Sequence, residues 1–186
     1  MKLPPCLVCA LSLAVGATTA ADAGTNCQPV FDALQKMAVT PVHEYIHRTA
    51  AFMEAPSDSE VVITGNAMYL QISGKWRSIP YDSQQRAQEI RQSAATRHTV
   101  CTRLGDESVG AEAAAVYGTH DDQGEGSTVD GMLWVSKSRG LLLRQTIDMD
   151  VGGKHGKSHT DIHFDYANVH APAGRLAHPA TPHARR

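Results

Sequence analysis

The sequence predicts an α+β protein: an open antiparallel β half-barrel of about seven or eight strands, with two helices covering its concave face. Extended segments with apolar alternation are separated by short glycine-containing turns, such as 138–140 and 152–156. These connections are too short for parallel crossovers, so the strands must be antiparallel. Two segments with helical character can cover only part of one face of so wide a sheet. We therefore expect the sheet to curve around them and to leave an apolar cavity.

The first helix is predicted to begin near Pro29, because proline fits the first helical turn, and to end before Pro41. One face of this helix is apolar and consists of Val30, Phe31, Leu34 and Met37. Extended segments are then predicted at 42–53, 60–72 and 75–79, the last two separated by a Ser-Gly turn.

The second helix is predicted to begin after Asp82, which can cap it with Gln85 three residues later, and to run to about Ala95. Its apolar face is thin and consists of Ala87, Ile90 and Ala94. This composition is typical of a surface helix lying over an opening. Arg86, Arg91 and Arg97 surround this helix, where they would meet either solvent or a lipid headgroup at a cavity mouth.

The rest of the chain is predicted to form an antiparallel meander with strands at 97–104, 112–120, 127–137, 141–150 and 157–169. Alternation along these strands places apolar side chains on one face. We expect the concave face and the second helix to line an apolar cavity through Ile90, Leu141, Leu143, Ile147, Ile162, Phe164 and Tyr166.

The N-terminus has the pattern of a cleaved secretory signal. Lys2 precedes an apolar stretch, 6–15, that is too short to span a bilayer, and small residues follow, so cleavage after Ala20 or Ala23 is expected. We predict three parts: a signal peptide over 1–23, a single domain over 24–171 and a disordered tail over 172–186. After cleavage the chain is not expected to be an integral membrane protein. Its net charge of −2 gives no electrostatic case for nucleic acid.

Removal of the signal leaves two cysteines, Cys27 and Cys101. In an oxidising compartment such a pair is most simply one disulfide. The alternative is two free thiols, one of them catalytic, which would require a partner histidine.

The region 27–170 resembles the LolA-like superfamily of exported bacterial proteins, which includes the periplasmic lipoprotein carrier and the RseB-like stress sensors. The resemblance is carried by Gly65-Asn66-Ala67-Met68-Tyr69 with Gly74-Lys75-Trp76, by Ala115-Val116-Tyr117, by Leu133-Trp134-Val135-Ser136-Lys137 with Gly140-Leu141-Leu142-Leu143-Arg144-Gln145, and by Asp165-Tyr166-Ala167-Asn168-Val169. The lipoprotein carrier's Arg-Pro-x-x-Phe-x-Trp stretch has no match here. The resemblance implies a half-barrel, a periplasmic location and an apolar ligand cavity without a cofactor.

Histidine is abundant, with ten in the chain, and forms two patterns that invite a metal interpretation. His43-Glu44-Tyr45-Ile46-His47 matches the zinc-binding His-Glu-x-x-His pattern, which requires a helix. Within 157–169, the row His159, Asp161, His163 and Asp165 would share one strand face. Neighbours on that face are about 6.6 Å apart along the strand, so a solvated outer face is favoured over a metal site, and no metal is predicted.

Three functions follow from these observations. The favoured one is non-enzymatic binding of a lipid, another apolar ligand or a lipidated partner in the cavity. An envelope-stress sensing or interaction module of the same fold is the first alternative. A metal-dependent hydrolase using His43, Glu44 and His47 is the second, and a strand at these residues would remove it.

Overall fold

One nine-stranded sheet with two helices on its concave face makes up the part of the chain that the structure describes. The structure is a computed structural model and describes residues 27–96, 99–124, 126–152 and 156–173. Its elements are α1 (Gln28–Ala38), β1 (Val42–Ala50), β2 (Ser57–Ile63), β3 (Ala67–Ile72), β4 (Lys75–Pro80), α2 (Ser83–Thr96), β5 (Val100–Val109), β6 (Glu112–Gly124), β7 (Ser127–Ser136), β8 (Leu142–Asp150) and β9 (Lys157–Asp165). The predicted fold class is confirmed. The predicted signal peptide and most of the predicted tail lie outside the described residues.

The sheet consists of two antiparallel meanders joined in its middle. The strand order is β4-β3-β2-β1-β9-β8-β7-β6-β5, so β1 to β4 run outward to one edge and β5 to β9 return from the other. β1 pairs with β9 from His43 opposite Asp165 to Ala50 opposite Ser158. As a consequence, α2 lies in sequence between the two edge strands, β4 and β5.

The strand count exceeds the predicted seven or eight because the segment 60–72 is two strands and not one. β2 and β3 form a hairpin in which the Thr64 N–H donates to the Ala67 carbonyl at 2.9 Å. Gly65 and Asn66 occupy its turn. The Val, Ile and Tyr content of both strands obscured this short turn in the sequence pattern.

Several strand bounds also differ from prediction, including the end of β1, which is Ala50 and not residue 53. β5 continues through Gly105, where a bulge opposite β6 requires a φ of 147° that favours glycine. β6 extends to Gly124, beyond the predicted end at His120. β9 ends at Asp165, earlier than predicted, and the Tyr166 hydroxyl then donates to the Leu142 carbonyl at 2.7 Å.

The main core lies between α1 and the concave face. Val30 and Ala33 of α1 are buried against a sheet floor that includes the fully buried Val42 and Leu142. Cys27, the residue that precedes α1, forms the predicted disulfide with Cys101 of β5, with a Cα–Cα distance of 5.1 Å. The start of α1 is therefore held covalently to an edge strand.

A second, smaller cluster lies on the convex face and corrects one predicted cavity residue. Leu143 packs there with Ala114, Val116 and Trp134, and not against the helices. The cause is a bulge: Val135 pairs with Leu142, whereas Trp134 pairs with Arg144, so Leu143 is the extra residue. The simple alternation used in the prediction fails at this position.

Neither helix in the described part of the chain has the length and apolar content needed to cross a membrane.

Replacing both Cys27 and Cys101 with serine should lower the free energy of unfolding by about 4 kcal/mol, because the cross-link closes a loop of 74 residues in the unfolded chain. Urea denaturation of the oxidised protein and the double variant measures the difference. Reduced wild-type protein is the matched control and should resemble the variant. Equal midpoints for oxidised and reduced protein would contradict a stabilising disulfide.

Trp134→Ala should lower the free energy of unfolding by about 3–5 kcal/mol, because the ring is only 5% exposed. Its indole N–H donates to Glu107 Oε2 at 2.7 Å, and the Arg144 guanidinium lies 4.8 Å from its ring centre. Trp134→Phe keeps most of the packing and should cost about 1–3 kcal/mol through the lost hydrogen bond. Trp76→Ala, at a half-buried ring on edge strand β4, is the control. If Trp76→Ala lowered the free energy of unfolding as much as Trp134→Ala, burial of the ring would not explain the loss of stability.

Candidate functional site

A groove of about 280 Å³ separates the two helices from one half of the concave face. α1 lines it with the apolar side chains of Val30, Phe31, Leu34 and Met37, whereas α2 contributes Ile90 together with the polar Arg86, Glu89 and Ser93. Its floor is formed by β6, β7 and β8 through Thr119, Asp121, Val129, Leu133 and Gln145. The groove is thus apolar along α1 and mixed along α2 and the sheet.

A second cavity, of about 370 Å³, lies on the other side of α2 and is lined by Met68, Pro80, Tyr81, Asp82 and Gln85. Arg86 and Glu89 line both cavities. They form an ion pair of 3.2 Å, between Arg86 Nη1 and Glu89 Oε2. The polar side of α2 therefore lies between two openings into the concave face.

α2 begins as predicted but is held by few apolar contacts. The Asp82 carboxylate accepts from the Gln84 and Gln85 backbone N–H groups at 3.0 and 2.9 Å, which caps the helix. Gln85 does not complete the capping box, because its side chain donates to Glu89 Oε1. The buried apolar residues of the helix, Ala87 and Ile90, pack on Ala38, Phe31 and Leu34 of α1. The second helix therefore rests on the first.

One carboxyl group lies on the concave face among apolar neighbours. Glu44 of β1 is opposite Val61 on one side and Phe164 on the other. Burial raises its pKa to about 7, and the nearby Arg86 guanidinium opposes that rise. Burial also raises the pKa of Tyr81, which lines the second cavity.

Of the seven predicted cavity residues, Ile90 lines the groove. Phe164 is buried in the main core, with Ile162 and Tyr166 packed against it. Ile147 is half-buried on the concave face, Leu141 is buried immediately before β8, and Leu143 lies on the convex face.

The prediction underestimated α1, which fills the centre of the half-barrel and displaces the groove towards β6 and β7. Phe31, Leu34 and Met37 were recognised in the sequence as an apolar face but were not expected to line a cavity. Leu133, in the middle of β7, was missed as well.

The structure overturns the hydrolase alternative. His43, Glu44 and His47 belong to strand β1, where alternate side chains point to opposite faces. Glu44 faces the helices, whereas His43 pairs with Glu60 at 2.8 Å and His47 with Asp58 at 2.7 Å on the convex face. The three side chains required for a His-Glu-x-x-His zinc centre are therefore not brought together.

The second histidine pattern forms a paired, solvated convex face. His159 Nδ1 lies 2.7 Å from Asp148 Oδ1, and Asp161 accepts two hydrogen bonds from Arg144 at 3.0 and 2.7 Å. In the described ranges, no group of three His, Cys, Asp or Glu side chains is placed to hold a metal ion. These contacts agree with the favoured interpretation of this row.

A shallow depression of about 350 Å³ on the convex face is lined in part by Tyr45, His47, Asp58, Glu60, Asp161 and His163. Its carboxylates are already paired with His47, His43 and Arg144. The concave groove, with its apolar walls, is the better candidate for a ligand.

Comparison with known proteins gives structural similarities only. No protein family model matches the chain, and no curated protein matches it. Similar solved structures include LprF from Mycobacterium bovis (13% identity, 80% of this chain and 98% of that one, TM-score 0.42). They also include the LolA superfamily protein NE2245 from Nitrosomonas europaea (13% identity, 75% of this chain and 91% of that one, TM-score 0.29). A DUF1329 family protein from Desulfovibrio piger is similar as well (8% identity, 79% of this chain and 92% of that one, TM-score 0.29).

Backbone amides of α2 should exchange with deuterium about ten- to a hundredfold faster than those of α1, because so few buried side chains hold α2. Hydrogen exchange followed by mass spectrometry resolves the two helices. Ile90→Ala should accelerate exchange in α2 and leave β7 and β8 unchanged. Exchange of both helices at one common rate would show that α2 does not open independently.

Proposed function

We propose that this chain is an exported, non-enzymatic protein that binds an apolar ligand, such as a lipid acyl chain, in the groove beneath α2. The observation that carries the proposal is the groove itself: apolar side chains of both helices line it, and the helix that covers it is weakly held. The ligand is a free lipid or the lipid moiety of a modified protein, since both present the same hydrocarbon.

Apolar burial can supply the affinity. Burying about ten methylene groups contributes roughly 8 kcal/mol at about 0.8 kcal/mol each. Association costs several kcal/mol, so affinities in the micromolar range are expected without specific polar contacts.

Export is supported by two independent features. The N-terminal sequence has the organisation of a secretory signal, and the Cys27–Cys101 disulfide is of a kind that persists in oxidising compartments. A periplasmic location is therefore part of the proposal.

Ile90→Trp should weaken binding of the neutral fluorescent probe N-phenylnaphthylamine about tenfold, because the larger ring occupies groove volume. Fluorescence titration of the purified mature protein measures the affinity. Ala95→Trp, at an exposed position of the same helix, is the matched control and should bind as the wild type does.

Native mass spectrometry of protein purified from a periplasmic extract should show co-purified lipid or lipopeptide, and which of these is found identifies the source of the hydrocarbon.

Absence of probe binding by the wild type at tens of micromolar would refute the proposal. Equal weakening by both tryptophan variants would show that the probe binds outside the groove.

A further inference from the structure

The floor of the groove contains a glycine in the interior of a strand. Gly131 lies on β7 between Val129 and Leu133, which both line the groove, so position 131 faces the groove as well. It pairs with Thr119 of β6 on one side and with Ile147 of β8 on the other. Glycine weakens the interior of a strand and often marks a place that a ligand or another backbone approaches closely.

Neither helix covers this position. A Cβ atom at Gly131 would have only two atoms of the described residues within 4 Å, apart from its own chain neighbours. These are the Thr119 hydroxyl oxygen at 2.7 Å and the Thr146 carbonyl oxygen at 3.3 Å, and both belong to the sheet. Any larger residue would therefore displace the Thr119 hydroxyl, whereas glycine leaves space on the sheet surface beside it.

Two polar side chains, Thr119 and Gln145, line the groove on either side of β7. Among the described residues, no group forms a hydrogen bond with the Thr119 hydroxyl or with the Gln145 carboxamide. No polar side-chain atom in the same part of the chain is both buried and unpaired, so these two groups are accessible from the groove. They are available to a ligand without the loss of any contact within the protein.

The register places both groups within reach of one bound group. Thr119 pairs with Gly131, and Gln145 pairs with Leu133 two residues further along β7. With ~4.8 Å between strands and ~3.4 Å per residue, the Cα atoms of Thr119 and Gln145 are about 12 Å apart. A hydroxyl and a carboxamide can both donate hydrogen bonds, and a carbonyl oxygen can accept two. A carbonyl over Gly131 would therefore satisfy both side chains from opposite sides.

The charged groups of the lining do not favour an anion at this place. Arg86 is already engaged by Glu89 of the same helix at 3.2 Å, and Asp121 adds a further carboxylate to the floor. A free fatty-acid carboxylate would meet these two acidic side chains. The polar group that fits is therefore neutral and accepts hydrogen bonds, as the carbonyl of an ester or an amide does.

We propose that the groove recognises the ester or amide carbonyl of an acylated ligand, which accepts hydrogen bonds from Thr119 and Gln145 over Gly131. This inference rests on the proposed function and names the ligand class more closely. The hydrocarbon supplies the affinity, and the two donors distinguish an acyl chain from an alkyl chain. A carbonyl that enters the groove loses its hydrogen bonds with water, so it would weaken binding if the protein did not replace them.

The test compares methyl decanoate with methyl decyl ether, two neutral molecules of the same length that differ only in the carbonyl oxygen. Displacement of the naphthylamine probe measures both affinities. The wild type should bind the ester about three- to tenfold more tightly than the ether, which corresponds to one or two net hydrogen bonds. Thr119→Val and Gln145→Met keep the approximate size of each side chain and remove its donor. Each should lower the preference and the double variant should abolish it, with the affinity for the ether unchanged.

Three further variants serve as controls and should retain the preference for the ester. Thr119→Ser keeps the hydroxyl group. Thr102→Val, at an exposed position of β5, and Gln71→Met, in the convex depression, make the same substitutions outside the groove.

The possible failures of the recognition and of the proposed function are distinguishable. Equal wild-type affinities for the ester and the ether, or a preference that persists in the double variant, would overturn the recognition and leave the proposed function standing. Equal weakening of both ligands by the double variant would also overturn it, because the side chains would then only shape the groove. Loss of the preference in any control variant would contradict it as well. Failure of the wild type to bind the probe would refute both proposals.

Discussion

The pairing of β1 with β9 is the constraint on which the rest of the structure depends. It joins the meander that leaves β1 to the meander that returns in β9, so that one continuous sheet results. Because this junction is in the middle of the sheet, the two strands that flank α2 in sequence, β4 and β5, are its two edges. The position of α2 over the concave face is thus a consequence of strand order, which explains how a helix with a thin apolar face can remain there.

The two helices divide the concave face unequally. α1 carries large apolar side chains and is joined to β5 by the Cys27–Cys101 disulfide, so it forms the core. α2 packs on α1 through Ala87 and Ile90 and leaves the groove beside it. The groove therefore combines apolar side chains with the ionisable Arg86, Glu89 and Asp121.

The sequence was sufficient for the fold class, both helices and the disulfide, because these depend on local patterns: alternation, capping and an even pair of cysteines. It was insufficient where one residue changes the register. Leu143 lies on the convex face because of a bulge in β8, and nothing in the surrounding apolar sequence indicates that bulge. Most of the cavity lining was also missed, because the position of α1 over the sheet depends on packing between residues distant in sequence. Glu44 was noticed for a motif that a strand cannot form, and its environment became visible only with Arg86 in place.

Because α2 connects the two edges of a single sheet, the sheet and the helix together form a closed ring of chain. A terminal helix can rotate away about one attachment, whereas α2 is attached at both ends and can only tilt, slide or unwind. Nine flat strands would place the edges about 38 Å apart, but a helix of 14 residues is only about 21 Å long. A flatter sheet would have to be spanned by the helix together with the short connections at its two ends, so their combined reach limits how far the sheet can flatten. The width of the half-barrel is thus bounded by the length of α2 and of the connections that join it to the two edges.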